Sequence, residues 1–147
     1  MSKNLNFLIV LLRVSMGWIF FYAGITKVMD PNWSAAFYLK DAQTFSSFFE
    51  FLLRPDILPI VNLLNAWGLT LIGVSLILGV FVRVSAPLGA LMMILYYLPE
   101  FNFPYAGKHS MIIDDHIVYA FLLIFLMMSD AGKKFGLDKI IKNKIRN

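Results

Sequence analysis

The chain has 147 residues, of which 59% are hydrophobic and only 15% are charged, and its formal net charge is +4. Soluble domains carry about 25% charged residues, so the composition disfavours a water-soluble protein and predicts a single membrane domain over residues 1–147. The chain has no cysteine and two histidines. This composition excludes disulfides, thiolate nucleophiles and iron–sulfur clusters, and no flavin, heme or metal motif is evident.

Four apolar segments predict membrane-spanning helices, at about residues 5–29, 57–82, 84–98 and 112–128. A hydrocarbon core of about 30 Å needs about 20 helical residues, so the third segment is marginal in length. Arg83 alone separates the second and third segments, which predicts a tight helical hairpin, and Pro87 fits the first turn of the third. The predicted fold is all-α, a four-helix transmembrane bundle.

The distribution of cations predicts the orientation, because cytoplasmic loops carry an excess of Lys and Arg. We expect a multi-pass plasma-membrane protein with both termini cytoplasmic. This orientation places inside the cations Lys3, Arg83, Lys133, Lys134, Lys139, Lys142, Lys144 and Arg146, and outside Lys40, Arg54 and Lys108.

Two amphipathic segments lie outside the predicted spans. In the outer loop, a helix over about 42–54, capped by Asp41, would place Phe45, Phe48, Phe49, Leu52 and Leu53 on one face. It would lie in the outer interface or fold over the bundle as a lid, and the alternative is an apolar loop that packs on its own bundle. The basic tail, residues 131–147, predicts an interfacial helix on the inner leaflet and favours a membrane-surface contact over a nucleic-acid contact.

The first span carries two cations, Arg13 and Lys27, on one helical stripe with Gly17, Phe20 and Gly24. A charge at the bilayer centre costs about 2.5–3.5 kcal/mol, so this stripe is expected to face protein.

For Arg13 we expect a structural role near the inner side, where Arg83 and Asp130 also lie. Its partner would be Asp130 or the C-terminal carbonyls of the second span. Lys27 is either an interfacial anchor or a functional cation in an outer pocket, next to Asp115 or Asn65.

The fourth span opens with "DDH", residues 114–116. The two acids suit the positive end of the helix dipole, with His116 as an interfacial residue. Alternatively, Asp115 and His116 form a proton relay or a ligand-binding pair. No metal site is predicted, because two adjacent acids and one histidine on a helix cannot all point at one ion. The catalytic candidates are therefore Lys27, Asp115 and His116.

Three fragments, "LLRVSMGWIFFYAGITKVMDP", "NAWGLTLIGVSLILGVFVRV" and "DDHIVYAFLLIFLMMSDAGKKFGLD", together resemble the DoxX/DoxD family. The resemblance covers nearly the whole chain, although Asn65 stands where many relatives carry a glutamate. It rests on Arg13, Gly17, Gly24, Lys27, Gly68, Gly73, Gly79, Arg83, Asp115, His116, Gly132, Gly136, Leu137 and Asp138.

The resemblance implies a membrane subunit of a quinone-linked oxidoreductase, such as thiosulfate:quinone oxidoreductase, which passes two electrons from thiosulfate to a membrane quinone and yields tetrathionate. Polar and aromatic side chains near the outer interface are the candidate quinone-binding residues: Lys27, Asn65, Trp67, Tyr96, Tyr119 and His116.

Two other functions stay open. One is a non-catalytic assembly or anchor subunit of a larger membrane complex. The other is an oligomeric transporter of small solutes, which ranks last because the sequence shows no internal repeat and no broken helix. The expected partners are lipid and other membrane subunits or further copies of the chain, and no nucleic acid.

Overall fold

The computed structural model describes residues 3–42, 44–107 and 109–140, which are mostly helical. In chain order the helices are α1 (Lys3–Met29), α2 (Ala36–Lys40), α3 (Ser46–Leu52), α4 (Leu58–Leu78), α5 (Val82–Glu100) and α6 (Asp115–Met128). Three two-residue strands between α5 and α6 form an antiparallel sheet in the order β1 (Phe101–Asn102), β2 (Tyr105–Ala106), β3 (Ser110–Met111). A 3₁₀ turn, Ala131–Lys133, follows α6.

The long helices pack as two pairs, α1 on α4 and α5 on α6, and α4 also contacts α5. Glycines bring α1 and α4 together almost backbone to backbone. A Cβ on Gly17 would lie 2.8 Å from the Ile77 nitrogen, and one on Gly24 or Gly73 would overlap the backbone of the facing helix. Such small-residue contacts drive helix association in lipid, where apolar side chains gain nothing by leaving the solvent. The predicted packing role of Gly17 and Gly24 is therefore confirmed.

The two ends of the helices have different structures. One end holds the α4–α5 turn and residues 129–140, and we call it the inner end after the predicted orientation. The other end, the outer end, holds α2, α3 and the sheet. The first residues of α1 belong to the inner end, because Arg13 contacts residues beyond α6 there.

Within the part of the chain that the structure describes, three helices are long and apolar enough to cross a membrane: α1, α4 and α5. The boundary between α4 and α5 differs from the prediction, because Gly79 adopts a left-handed conformation with φ of +67° and ends α4 there. Arg83 therefore belongs to the first turn of α5, and Pro87 lies inside that helix. The third span is thus longer than predicted, at 19 residues.

The fourth helix is shorter than predicted. It has 14 residues, or about 21 Å at 1.5 Å each. Its inner end is level with that of α5, because the Arg83 Nε lies 2.7 Å from the Asp130 Oδ1. The shortfall is therefore at the outer end, where residues 112–114 precede the helix instead of forming its first turn. A bundle in which all four helices cross the bilayer stays a prediction.

The outer helix predicted over about 42–54 is present but shorter, because α3 spans Ser46–Leu52 and follows Phe45, whose φ is +57°. A separate short helix, α2, precedes the predicted segment. Asp41 follows the first helix instead of capping the second. Of the predicted face, Phe49 is buried, while Phe45 and Phe48 are exposed.

The tail also departs from a continuous helix, because the 3₁₀ turn and three bends precede a helical stretch at 137–140. Residues 141–147, which include Lys142, Lys144 and Arg146, lie outside the described residues.

Candidate functional site

A cavity of about 710 Å³ opens at the outer end, between the helices and the segment that follows α1. We call it the outer cavity. Its walls are mainly apolar and aromatic, and five of the predicted binding residues line it: Lys27, Asn65, Tyr96, His116 and Tyr119. Four different helices, α1, α4, α5 and α6, contribute these side chains. The sequence stripes therefore point to the same place in the structure.

Lys27 comes from the last turn of α1 and reaches the cavity wall. Its ammonium donates one hydrogen bond to the Ala23 carbonyl, at 2.9 Å, and lies 5.4 Å from the centre of the Trp33 ring. Neither expected partner, Asp115 or Asn65, is bonded to it. Among the described residues, no acid lies within ion-pair distance of Lys27, so the cation remains available to a ligand.

Asn65 and Tyr96 connect α4 to α5 across the cavity. The Tyr96 hydroxyl donates to the Asn65 Oδ1 at 2.6 Å. Within the described part of the chain, the amide NH₂ of Asn65 has no recorded acceptor. This pair therefore fixes the tyrosine and leaves an amide donor at the wall.

His116 forms its hydrogen bond with Asp114, and Asp115, the partner expected from the sequence, lies farther from the ring. Its Nδ1 lies 2.6 Å from the Asp114 Oδ2 but 3.8 Å from the Asp115 Oδ1. The reason is local geometry: Asp114 precedes α6 in an extended conformation and caps it, accepting the Ile117 N–H at 3.1 Å. Asp115 points outward, with 68% of its side chain exposed.

The N-cap position of Asp114 also bears on the prediction that Asp114, Asp115 and His116 cannot all point at one metal ion. Because Asp114 lies before the helix, its carboxylate can turn back, and donor atoms of Asp114, Asp115 and His116 lie within 4.8 Å of one another. The statement that these residues cannot converge is therefore wrong. The Asp114 oxygens are already occupied by Ile117 and His116, so the cluster is explained by the helix cap and the histidine pair.

Trp67 and Asp115 are the predicted site residues that the structure does not bring to the cavity. Trp67 is 47% exposed and lies on another face of α4. Trp67 is the tenth of the 21 residues of α4, so this exposed side chain lies near the middle of the helix and away from the outer cavity.

The cover of the cavity comes from the segment after α1, which we call the outer lid: residues 33–42 and 44–52. It contributes aromatic and apolar side chains, Trp33, Phe37, Tyr38, Phe49 and Leu52. Asn62 of α4 fastens it by accepting the Ala35 N–H at 2.8 Å. The Thr44 hydroxyl donates to the Phe101 carbonyl on the far side. The segment after α1 therefore covers the outer cavity.

At the inner end, Arg13 is 2% exposed and does not pair with Asp130. Its Nη1 donates to the carbonyls of Ala131, at 2.7 Å, and Lys134, at 3.2 Å. The carbonyls expected from α4 are thus replaced by carbonyls that follow α6. Asp130 instead bonds to Lys133 and Arg83, each at 2.7 Å, and these hydrogen bonds hold the pKa of its carboxyl below the usual range.

Asp138 completes this inner cluster. Its carboxylate accepts the N–H groups of Phe81, at 2.8 Å, and Val82, at 3.3 Å, and so caps the start of α5 from a distant part of the chain. Its own N–H donates to the Gly79 carbonyl at 3.0 Å. Arg13, Arg83 and Asp130 thus connect α1, α5 and the segment after α6, and their structural role stays a prediction.

A sequence profile of the DoxX family matches residues 8–98, from the first turns of α1 almost to the end of α5. The comparisons with curated proteins and with solved structures gave no match. DoxX proteins are membrane proteins that are often associated with quinone-linked oxidoreductases. The match covers more than half of the 147 residues, and the resemblance drawn from the sequence is confirmed: the chain belongs to the DoxX family.

Proposed function

We propose that the protein is the membrane subunit of a quinone-linked oxidoreductase and that the outer cavity binds the quinone. The observation that carries the proposal is the combination of an apolar, aromatic-walled cavity with polar groups from four helices that retain unused hydrogen-bonding capacity. An assembly or anchor subunit would need no such cavity.

The size and walls of the cavity fit a quinone head group. Its volume of about 710 Å³ falls within the range of about 300–1,000 Å³ that ligand pockets occupy. Trp33, Tyr96 and Tyr119 offer ring faces on which a flat aromatic ligand can stack. An isoprenoid tail would extend along the apolar wall.

The polar groups are placed to bind ring oxygens. The Lys27 ammonium has three N–H donors, of which the described contacts use one. The Asn65 amide and the second ring nitrogen of His116 are also without a recorded partner among residues 3–42, 44–107 and 109–140. These three groups come from α1, α4 and α6, so they surround the cavity and can reach oxygens on opposite sides of a ring.

A bound quinone accepts two electrons and two protons and leaves as a quinol. The chain carries no cysteine, so the electrons come from the second substrate or a partner subunit. With thiosulfate as the donor, two ions lose one electron each and join through a new S–S bond as tetrathionate. Lys27 would attract the thiosulfate dianion and stabilise the negative charge that develops on the quinone ring oxygen.

Quinone binding can be measured directly, because quinones quench tryptophan fluorescence and Trp33 lines the cavity. We expect decylubiquinone to quench the purified protein in nanodiscs saturably. Lys27→Gln should raise Kd by about tenfold, since a hydrogen bond from a charged group contributes about 1.5–3 kcal/mol.

The matched control is Lys40→Gln, which removes an exposed outer cation that does not line the cavity. Equal Kd values for the two variants would remove Lys27 from the site. A wild-type protein that shows no saturable quenching would overturn the quinone site and favour an anchor role. Saturable binding without thiosulfate-dependent quinone reduction in the complex extracted from its own membranes would refute thiosulfate as the donor and leave the quinone site in place.

A further inference from the structure

The pair Asp114–His116 has features that quinone binding alone does not require. The Asp114 side chain is only 5% exposed, although it is a carboxylate, and both of its oxygens are engaged. One oxygen caps α6, and the other faces the Nδ1 of His116 at 2.6 Å. An ionised carboxylate only accepts hydrogen bonds, so the hydrogen of the neutral imidazole belongs on Nδ1.

The opposite side of the imidazole faces a different environment. His116 lines the outer cavity, is 24% exposed, and its ring centre lies 5.9 Å from that of Tyr96. No hydrogen bond to its Nε2 is recorded among the described residues. With the hydrogen on Nδ1, the Nε2 lone pair is a base directed away from Asp114.

The pair lies near the outer ends of α5 and α6. Tyr96 is four residues before the end of α5, and its ring centre lies 5.9 Å from that of His116. The other titratable or charged side chains at the cavity are Lys27, Tyr38, Asp41, Tyr96, Glu100 and Tyr119, and Asp115 adjoins it at the surface. None of these is as close to the His116 ring as Asp114.

We infer that Asp114 is a positioning residue that fixes His116 with its hydrogen on Nδ1, so that Nε2 exchanges a proton with the ligand of the outer cavity. This inference rests on the proposed function. When the ligand is a quinol, its O–H bond breaks and the proton moves to Nε2, giving an imidazolium that Asp114 stabilises without becoming protonated itself. The imidazolium then releases the proton at the outer end. In quinone reduction the same proton moves in the reverse direction.

The tautomer can be measured without quinone and without turnover. We would label the protein with ¹⁵N-histidine in nanodiscs and record the ring nitrogens of both histidines. His109 is exposed and serves as the internal reference. We expect neutral His116 to carry its hydrogen on Nδ1.

The decisive variant is Asp114→Asn. Asparagine is as good an N-cap as aspartate, so α6 should persist, but its NH₂ would face Nδ1 as a donor. The expected result is inversion, with the hydrogen on Nε2. Asp115→Asn removes a neighbouring exposed carboxylate of the same charge and should leave the tautomer as in the wild type.

A wild-type His116 with its hydrogen on Nε2, or an equal effect of Asp115→Asn, would overturn the inference. In the thiosulfate-dependent assay, Asp114→Asn and His116→Gln should lower kcat by about 100-fold or more, the usual contribution of a proton-transfer group. Unchanged kcat in both variants would also overturn it. Failure of decylubiquinone to bind would refute the proposed function and leave the tautomer result unaffected.

Discussion

At the scale of single residues, Arg13 shows how a buried cation can be structural in a membrane protein. Its guanidinium donates hydrogen bonds to two backbone carbonyls, and the carboxylate of Asp138 adds a favourable Coulomb interaction. Gly79 and Gly136 make room for the guanidinium, since a Cβ on either would clash with Nη1. Arg13 and the two glycines therefore form one packed contact that connects α1 to the segment after α6.

We expect Arg13→Met to destabilise the protein by about 1–3 kcal/mol, because the buried Ala131 carbonyl loses its donor. Arg83→Met is the matched control, since the side chain of Arg83 is exposed and an exposed ion pair contributes about 0–1 kcal/mol. The free energy of unfolding in mixed micelles measures both. Equal losses for the two variants would contradict a special role for Arg13.

The spacing of residues predicted most of the candidate site. A helical stripe is enough to place Lys27 at an outer pocket and Arg13 in a packed interface, because lipid makes the alternative costly. Spacing could not decide which of two adjacent aspartates holds His116. That choice depends on which aspartate precedes the helix as its N-cap. The N-cap preference for aspartate is the feature of the sequence that could have indicated Asp114.

At the scale of elements, the contact between α1 and α4 depends on glycines that allow backbone atoms to touch. The two helices contribute Gly17, Gly24 and Gly73 to it. Gly68 lies on another face of α4, toward Met92 of α5, with an added Cβ 3.4 Å from the sulfur. The two glycines of α4 therefore differ in their surroundings: Gly73 lies in a backbone contact with α1, and Gly68 faces a flexible side chain.

Gly73→Ala should destabilise the protein by at least about 1–3 kcal/mol, the usual effect of overpacking, because the new methyl group overlaps the Phe21 backbone. Gly68→Ala should be neutral or stabilise by up to about 1 kcal/mol, since Met92 can move and alanine favours a helix. Thermal unfolding in detergent compares the two. A Gly73→Ala protein as stable as Gly68→Ala would show that α1 and α4 can move apart freely.

Apart from the bounds of the long helices, the sequence mispredicted the outer lid and the sheet. In the outer lid, the spacing of Phe45, Phe48 and Phe49 predicted a longer helix than α3, and only Phe49 of the three is buried. The sheet between α5 and α6 has strands of two residues, too short for alternation to reveal. Tertiary contacts, which a single sequence does not encode locally, determine both.

At the scale of the whole molecule, the structure places the start of α1, the α4–α5 turn and residues 129–140 at one end of the helices. The membrane side of that end is predicted by its cations, Lys3, Arg83, Lys133, Lys134 and Lys139. The outer lid carries Lys40, and Arg54 follows it. The fold therefore shows which segments lie at the same end of the molecule, and the cations predict the side of the membrane that this end faces.

The natural absence of cysteine makes this orientation easy to test. We expect Ser47→Cys and Asn102→Cys, both exposed at the outer end, to react with a membrane-impermeant maleimide in intact cells. Lys139→Cys should react only after the cells are opened. Labelling of Lys139→Cys from outside would mean that the orientation is reversed or that the 14-residue α6 does not cross.

The bond from Arg13 to the Ala131 carbonyl also has a consequence for biosynthesis. The two residues are 118 positions apart, so at about 5–20 residues per second the ribosome makes the acceptor about 6–24 s after the donor. During that interval α1 has left the ribosome with a cation that no native partner can neutralise. The nascent chain must therefore keep Arg13 in water, at the lipid headgroups or in the insertion machinery until the residues that follow α6 are made.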